Sequence, residues 1–247
     1  MRRATFVLAL TAALVVCLSG SLAAIGPTNP VSNYNFSSGL SNWQVGHMSD
    51  LTNPSFGSLP DGTSVHIAPW RDTLNPSLEW FRWDESENPA PIAIGAAQLF
   101  EEGIPTGNYS TLTFSADFWL KGQSWTSPQA SGGSEWYPAF MAVYYQRDGV
   151  DGYAMRGIYH PSVGTFLGSS AVEWDQLNVT QTWNLYDSGM QQGDKIMAIA
   201  VGGYGQNFAA QVDNVYLGGT PVPEPASLTG LLTGLSGLGL LARRRRR

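Results

Sequence analysis

The feature of this sequence that most limits its fold is a two-residue alternation between Thr111 and Leu120. Leu112, Phe114, Ala116, Phe118 and Leu120 alternate with Thr111, Thr113, Ser115, Asp117 and Trp119. Successive side chains of a β-strand point to opposite faces, so the pattern predicts a strand with one buried face and one more polar face. Trp119 falls on the more polar face, beside Asp117.

Similar short segments recur along the chain without intervening helical patterns. Further strands are predicted at 65–68, 78–83, 96–100, 139–146, 153–159, 177–186, 195–202 and 210–217. Turn formers such as Pro60-Asp61-Gly62 and the glycine-rich segment 147–152 separate them. The prediction is an all-β fold, an antiparallel two-sheet β-sandwich, with a jelly roll as the preferred topology.

The N-terminal residues predict a secretory signal peptide over residues 1–23. Arg2 and Arg3 precede an apolar run, and Ser21-Leu22-Ala23 supplies small residues for cleavage after Ala23. The only cysteine of the chain, Cys17, lies inside this segment. The mature chain therefore has no disulfide, no thiol nucleophile and no thiolate metal ligand. Lipidation of Cys17 is disfavoured because the bulky Val16 precedes it.

Residues 221–247 form a second targeting sequence. Pro223, Glu224 and Pro225 precede an uncharged apolar stretch over 226–242 and five terminal arginines. As a helix the stretch would rise roughly 25 Å, slightly less than the ~30 Å hydrocarbon core, and the arginines would stay on the cytoplasmic side. It is predicted to be a single transmembrane helix. The alternatives are a permanent anchor or a glycine-rich tail with no membrane role.

That order of motifs resembles the PEP-CTERM sorting signal of bacterial exported proteins. The resemblance implies recognition by an exosortase, a membrane-embedded processing enzyme that cleaves near the Pro-Glu-Pro motif. Pro223, Glu224 and Pro225 would be the recognition element, and the helix would anchor the protein in the membrane until processing. The expected destination is the cell surface or the extracellular matrix.

The charge of the folded part disfavours nucleic acid as a partner. Between residues 24 and 220, six Lys and Arg stand against 18 Asp and Glu, which gives a formal charge near −12. A surface of this sign repels phosphate backbones, and neutral polysaccharides or divalent cations fit it better. The 197 residues of this range are enough for one β-sandwich domain.

Two short motifs resemble the ends of galactose-binding-like jelly rolls, a group that includes many carbohydrate-binding modules. Asn33-Tyr34-Asn35-Phe36 with Gly39 and Trp43 resembles the opening strand of these folds, and the segment 211–217 resembles the closing strand. The resemblance implies that the first and last strands are adjacent. Many relatives hold a structural calcium here. Ser37 replaces the usual acidic residue, which leaves Asp213 as a possible ligand, with a hydrogen bond to a loop as its alternative role.

No pattern of catalytic residues is evident. The three histidines, His47, His66 and His160, are scattered, and no nucleophile elbow, phosphate loop or zinc motif occurs. Glu85, Glu87, Glu101 and Glu102 could supply an acid and a base, but the sequence does not bring any two of them together. The chain is therefore predicted not to be an enzyme and to need no cofactor.

The nine tryptophans are the main binding signal. Trp43 and Trp183 are predicted to be core residues, whereas five others are candidates for stacking on sugar rings: Trp80, Trp83, Trp119, Trp125 and Trp136. The alternative is that loops cover them. The preferred hypothesis is an exported, non-catalytic surface or matrix protein that binds glycans or exopolysaccharide. The alternatives are a secreted polysaccharide-acting enzyme and a purely structural surface protein.

Overall fold

The computed structural model describes residues 29–48, 51–52, 55–71, 73–83, 91–123, 137–158 and 177–221. Residues 29–220 belong to one compact unit; the other unit, residues 1–28 with 221–247, contributes only Pro221 to the described part. The predicted signal peptide, Pro-Glu-Pro motif and apolar segment lie outside the described residues. Within those residues, no helix has the length and apolarity needed to cross a bilayer.

Eleven strands form two antiparallel sheets in the described residues. They are β1 (Gln44–Met48), β2 (Phe56–Gly57), β3 (Thr63–Pro69), β4 (Pro76–Arg82), β5 (Ile92–Pro105), β6 (Tyr109–Gln123), β7 (Tyr137–Arg147), β8 (Val150–Ile158), β9 (Leu177–Asn184), β10 (Lys195–Gly205) and β11 (Phe208–Pro221). The strand orders are β2-β1-β5-β10-β7-β8 in the six-stranded sheet and β3-β4-β11-β6-β9 in the five-stranded sheet. The predicted all-β two-sheet sandwich is confirmed, and each of the nine predicted strands is present.

The core lies between the inner faces of the two sheets. Leu112, Phe114, Phe118 and Leu120 of β6 are 0–1% exposed, as their alternation predicts. Trp43 and Trp183 also belong to this core, which confirms both predictions. Burying large aromatic and aliphatic side chains is the main stabilising contribution in a domain without disulfides.

The opening motif is not a strand, contrary to the prediction. Residues 32–42 form successive turns, and Asn33, Phe36, Gly39 and Asn42 have positive φ angles of 52–69°. The Asn33 side chain stabilises these turns by donating to the Gly39 carbonyl at 2.8 Å and accepting from the Ser38 amide at 2.9 Å. These turns place the Phe36 ring 5.3 Å from the Trp43 ring, inside the core.

The two ends of the domain are adjacent, as the resemblance implied. The Val215 amide donates to the Tyr34 carbonyl at 2.9 Å. The Asn29 side chain donates to the Val215 carbonyl at 3.0 Å and accepts from the Leu217 amide at 3.0 Å. This side-chain amide thereby satisfies two backbone groups of β11 beyond the part of β11 that pairs with β4.

The outer faces of the two sheets differ in character. The outer face of the six-stranded sheet carries a second buried apolar cluster, consisting of Met48, Ala93, Ala97, Phe140, Ala142, Tyr144, Ala198 and Ala200. Gly46, Gly95 and Gly202 are cross-strand neighbours on this face. The outer face of the five-stranded sheet is polar, and the candidate site lies there.

Candidate functional site

Trp119 is the central aromatic residue on the outer face of the five-stranded sheet. It lies on β6, directly opposite Asn178 of β9. Lys121 follows on the same face of β6. On the other side of β6, Gln211 of β11 is directly opposite Glu79 of β4. An aromatic ring thus lies among amide, ammonium and carboxylate groups, which is the mixture that sugar-binding surfaces use.

Trp119 is not an open platform, contrary to the prediction that its ring is available for stacking. Its exposed fraction is only 6%, and Lys121 Nζ lies 5.2 Å from the ring centroid. Its indole Nε1 is buried and has no hydrogen-bond partner among the residues that the structure describes. A buried donor without a partner costs about 1–3 kcal/mol and is uncommon in native structures. The unpartnered donor distinguishes Trp119 from an ordinary core tryptophan.

Arg71 lies across this part of the sheet. It belongs to the connection between β3 and β4, and its backbone amide donates to Gln211 Oε1 at 3.2 Å. With the Asn178 amide oxygen facing the guanidinium, Oδ1 accepts from Arg71 Nη1 at 3.1 Å and from Nη2 at 3.2 Å. Since β6 lies between β11 and β9, the Arg71 side chain crosses β6 at the level of Trp119.

A polar cluster borders Trp119 on the side of β4. Lys121 Nζ donates to Glu79 Oε2 at 2.7 Å, and Gln211 Nε2 donates to the same carboxylate oxygen. Gln211 is almost fully buried, and the Glu79 side chain is 15% exposed. Because each partner fixes the next, these side chains are held in one arrangement before any ligand arrives.

Two carboxylates lie further along the same face. Asp117 Oδ1 accepts from Thr180 Oγ1 at 2.5 Å, and its Oδ2 accepts from Asn214 Nδ2 at 2.9 Å. Asp213 Oδ1 accepts from the Asn214 amide at 2.7 Å. Burial raises the pKa of Asp213 to about 6, and the neighbouring Asp117 charge contributes in the same direction. Asn214, whose φ is 51°, therefore donates hydrogen bonds to both carboxylates, from its side chain to Asp117 and from its backbone amide to Asp213.

The other predicted sugar-binding tryptophans do not join Trp119. Trp80 is a core residue, so its prediction as a sugar contact is wrong: it is 0% exposed, and its Nε1 donates to the Pro138 carbonyl at 2.8 Å. Trp83 follows β4, is half-buried, and donates its backbone amide to the Gly62 carbonyl at 2.9 Å. Trp125 and Trp136 lie outside the described residues. Successive residues of β4 point to opposite faces of the sheet, so Trp80 points into the core while Glu79 and Phe81 point outward.

Arg71, Asn178 and Gln211 are site residues that sequence reasoning missed. The available signal was the scarcity of cations, because Arg71 and Lys121 are two of only six Lys and Arg between residues 24 and 220. Among the residues that the structure describes, no group of three or more His, Cys, Asp or Glu side chains could hold a metal ion. A calcium ion at Asp213 stays a prediction.

Comparisons with known proteins give similarity in strand arrangement only. No protein family profile matches the chain, and no curated protein of similar sequence was found. A carbohydrate-binding module from Caldicellulosiruptor saccharolyticus in complex with mannohexaose is similar at 11% identity and a TM-score of 0.42, over 78% of this chain and 96% of the module. The family 11 carbohydrate-binding module from Clostridium thermocellum, in complex with a β-1,3-1,4-mixed-linked tetrasaccharide, is similar at 13% identity and a TM-score of 0.40. The similarity covers 80% of this chain and 99% of the module.

An exo-β-agarase structure is similar at 10% identity and a TM-score of 0.43, over 80% of this chain and 25% of the agarase chain. The similar structures thus include both binding modules and part of an enzyme. At these identities and TM-scores, we infer the function from the residues of this chain alone.

Proposed function

We propose that this chain is an exported, non-catalytic protein that binds glycans on the outer face of the five-stranded sheet, at Trp119. The observation that supports the proposal is the buried Trp119 Nε1 without a partner, next to the ordered polar cluster of Lys121, Glu79 and Gln211. A sugar hydroxyl is both donor and acceptor, so it complements Nε1 and the polar cluster, and a pyranose ring packs against the indole once the side chains that cover Trp119 move aside. Such a ligand complements both parts of the site.

Substitution of Trp119 tests the proposal directly. We expect Trp119→Ala in the full chain to lower retention on soluble and insoluble polysaccharides at least about tenfold, the usual loss when an aromatic anchor is removed. The matched control is Tyr153→Ala, which removes an aromatic side chain that is 45% exposed on the other sheet. Undiminished retention by a folded Trp119→Ala protein, checked by circular dichroism, would contradict the assignment of this face.

Export and sorting form the second part of the proposal. The Pro-Glu-Pro motif, apolar segment and arginine run support sorting by an exosortase to the cell surface or the extracellular matrix. Replacing Pro223, Glu224 and Pro225 with alanine should leave the uncleaved form in the membrane fraction. Release of that variant at the normal rate would rule out this motif as the sorting element.

A polysaccharide-acting enzyme is the second candidate function, and the carboxylates at Asn214 are the observation that favours it. A raised pKa on Asp213 and a neighbouring carboxylate on Asp117 are the combination that glycosidases use for acid and base. Against it, Asp117 accepts hydrogen bonds at both oxygens. A reducing-sugar release assay separates the two: turnover lost in Asp213→Asn indicates the enzyme. A purely structural surface protein would show neither binding nor turnover.

A calcium ion bound by Asp213 is a separate proposal. Because an ion that binds only the folded state raises the unfolding temperature, calcium addition after chelation should raise the melting temperature of the full chain. It should raise that of Asp213→Asn less. Equal melting temperatures with calcium and with chelator would remove the proposal.

A further inference from the structure

Two energetic costs occur together on the outer face of the five-stranded sheet. Arg71 has a φ of 52°, the left-handed region, although it is not a glycine. Such a conformation costs about 1–2 kcal/mol for a residue with a side chain. Trp119, at the same level of the sheet, has a buried donor without a partner. Strained residues and unpartnered buried donors cluster at ligand sites, so their occurrence together marks a candidate ligand site.

The strained backbone of Arg71 positions its side chain. The backbone amide is fixed to Gln211 on β11, and the guanidinium reaches Asn178 on β9. Arg71 itself is exposed to solvent. Both guanidinium donors to Asn178 end on a single neutral oxygen, at 3.1 and 3.2 Å. A neutral acceptor of this kind binds the fork of an arginine less strongly than a carboxylate, which offers two charged oxygens.

The charge near Trp119 differs from that of the whole domain. Arg71 and Lys121 are two of the six cations between residues 24 and 220, and both lie beside Trp119. Of these two, Lys121 is paired with Glu79 at 2.7 Å, whereas the Arg71 guanidinium contacts an uncharged amide within the described residues. Asp117 lies two residues from Trp119 on the same face, but both of its oxygens already accept hydrogen bonds, from Thr180 and Asn214. Arg71 is therefore the charged group beside Trp119 whose described partner is neutral, and it favours an anionic group on the ligand.

We propose that Arg71, Trp119 and Asn178 form a subsite for a uronate, a sugar residue bearing a carboxylate, of an acidic polysaccharide. The proposal deepens the glycan-binding function above and depends on it. In the free protein, Arg71 closes the subsite by its bridge to Asn178. The uronate carboxylate replaces Asn178 as the partner of the guanidinium and forms a bidentate ion pair with it. This opens the surface over Trp119, where a sugar oxygen accepts from Nε1, and it frees the Asn178 amide for a hydroxyl.

The test compares an acidic with a neutral ligand on the full chain by isothermal titration calorimetry. The probes are an oligogalacturonate and a neutral gluco-oligosaccharide of the same length. Arg71→Ala should weaken oligogalacturonate binding about tenfold to a hundredfold, as expected for loss of a charged hydrogen-bonded pair. It should leave the binding of the neutral ligand unchanged or stronger, because the bridge over Trp119 is gone. Arg71→Lys should restore only part of the affinity, since lysine lacks the fork.

The matched control is Lys195→Ala, which removes an exposed cation at the end of β10. An equal loss of oligogalacturonate binding in Lys195→Ala would show general attraction and overturn the subsite. So would full affinity in Arg71→Ala. Binding of the neutral ligand alone by the wild type would refute the uronate subsite and leave glycan binding standing. Binding of neither ligand would refute both.

Discussion

At the scale of single residues, Asp213 and Asp194 show opposite effects of folding on a carboxyl group. Asp213 is buried beside another carboxylate, and its pKa is raised to about 6. Asp194 accepts from Arg147 Nε and Nη2 at 2.8 Å each, and this ion pair lowers its pKa below the ordinary value. One ionised carboxylate therefore destabilises the fold, and the other stabilises it.

Asp213→Asn should stabilise the protein at pH 7 by about 1–2 kcal/mol, the cost of holding a buried charge after allowance for solvent. The folded state binds this proton more tightly, so wild-type stability from this group falls as the pH rises from about 4 to about 6. Urea unfolding at pH 5 and pH 7 measures the effect, with the exposed Asp61→Asn as control. A variant less stable than wild type at both pH values would contradict this account.

Asp194→Asn should lower the free energy of unfolding at pH 7, because Asp194 also accepts from the Gln191 amide at 2.7 Å and organises the turn before β10. The pKa of Asp194 is lowered in the folded state, so its contribution is present above the ordinary pKa and is lost as the pH falls through the lower, folded value. The difference between wild type and variant should shrink in acid. If the difference in unfolding free energy did not change with pH, lost packing and not the lost charge would explain the effect of the substitution.

The sequence predicted the face of Trp119 but not its burial. Alternation along β6 is a local property, and it placed Asp117 and Trp119 on the polar side as the structure has them. Arg71 reaches that side from the connection between β3 and β4, which is close only in the folded chain. No local pattern signals a contact of this kind. The same limit explains Trp80, whose partner is the carbonyl of Pro138.

At the scale of strands, glycines fix the separation of β1, β5 and β10. A Cβ on Gly202 would lie 2.2 Å from the Ile94 carbonyl oxygen, in the neighbouring strand. Gly202→Ala should therefore destabilise the domain by about 2 kcal/mol or more, because backbone must move to admit the methyl group. Gly57→Ala is the matched control, since its nearest neighbour would be 3.8 Å away. Equal unfolding midpoints for the two variants would show that the sheet adapts freely.

The predicted strands were those with β-branched and aromatic residues between clear turns. The sequence does not predict β1, because Gln44–Met48 contains a glycine and follows a motif that the resemblance assigns to a strand. The predicted strand 177–186 was too long, since Leu185–Ser188 is a 3₁₀ helix capped by the Asn184 side chain. Sequence patterns thus locate the segments that pair. Side-chain hydrogen bonds of Asn33 and Asn184 stabilise the irregular segments 32–42 and 185–188.

At the scale of the whole molecule, Asn29 links the two ends of the domain. Asn29→Ala removes two hydrogen bonds to β11 and should lower the free energy of unfolding by about 1–2 kcal/mol. Hydrogen exchange at the Leu217 amide should accelerate as well, because that donor loses its acceptor. The exposed Asn75→Ala serves as control. Unchanged protection of Leu217 would mean that the end of β11 is held by other contacts.

The position of β11 has a mechanical consequence. The chain leaves the domain through this strand, which lies between β4 and β6, and β6 carries Trp119. If the C-terminal tail holds the protein while a polymer pulls on Trp119, the force passes from β6 to β11 within one sheet. Hydrogen bonds between antiparallel strands are perpendicular to the strands, so a pull along the strand direction loads the β6–β11 hydrogen bonds together in shear.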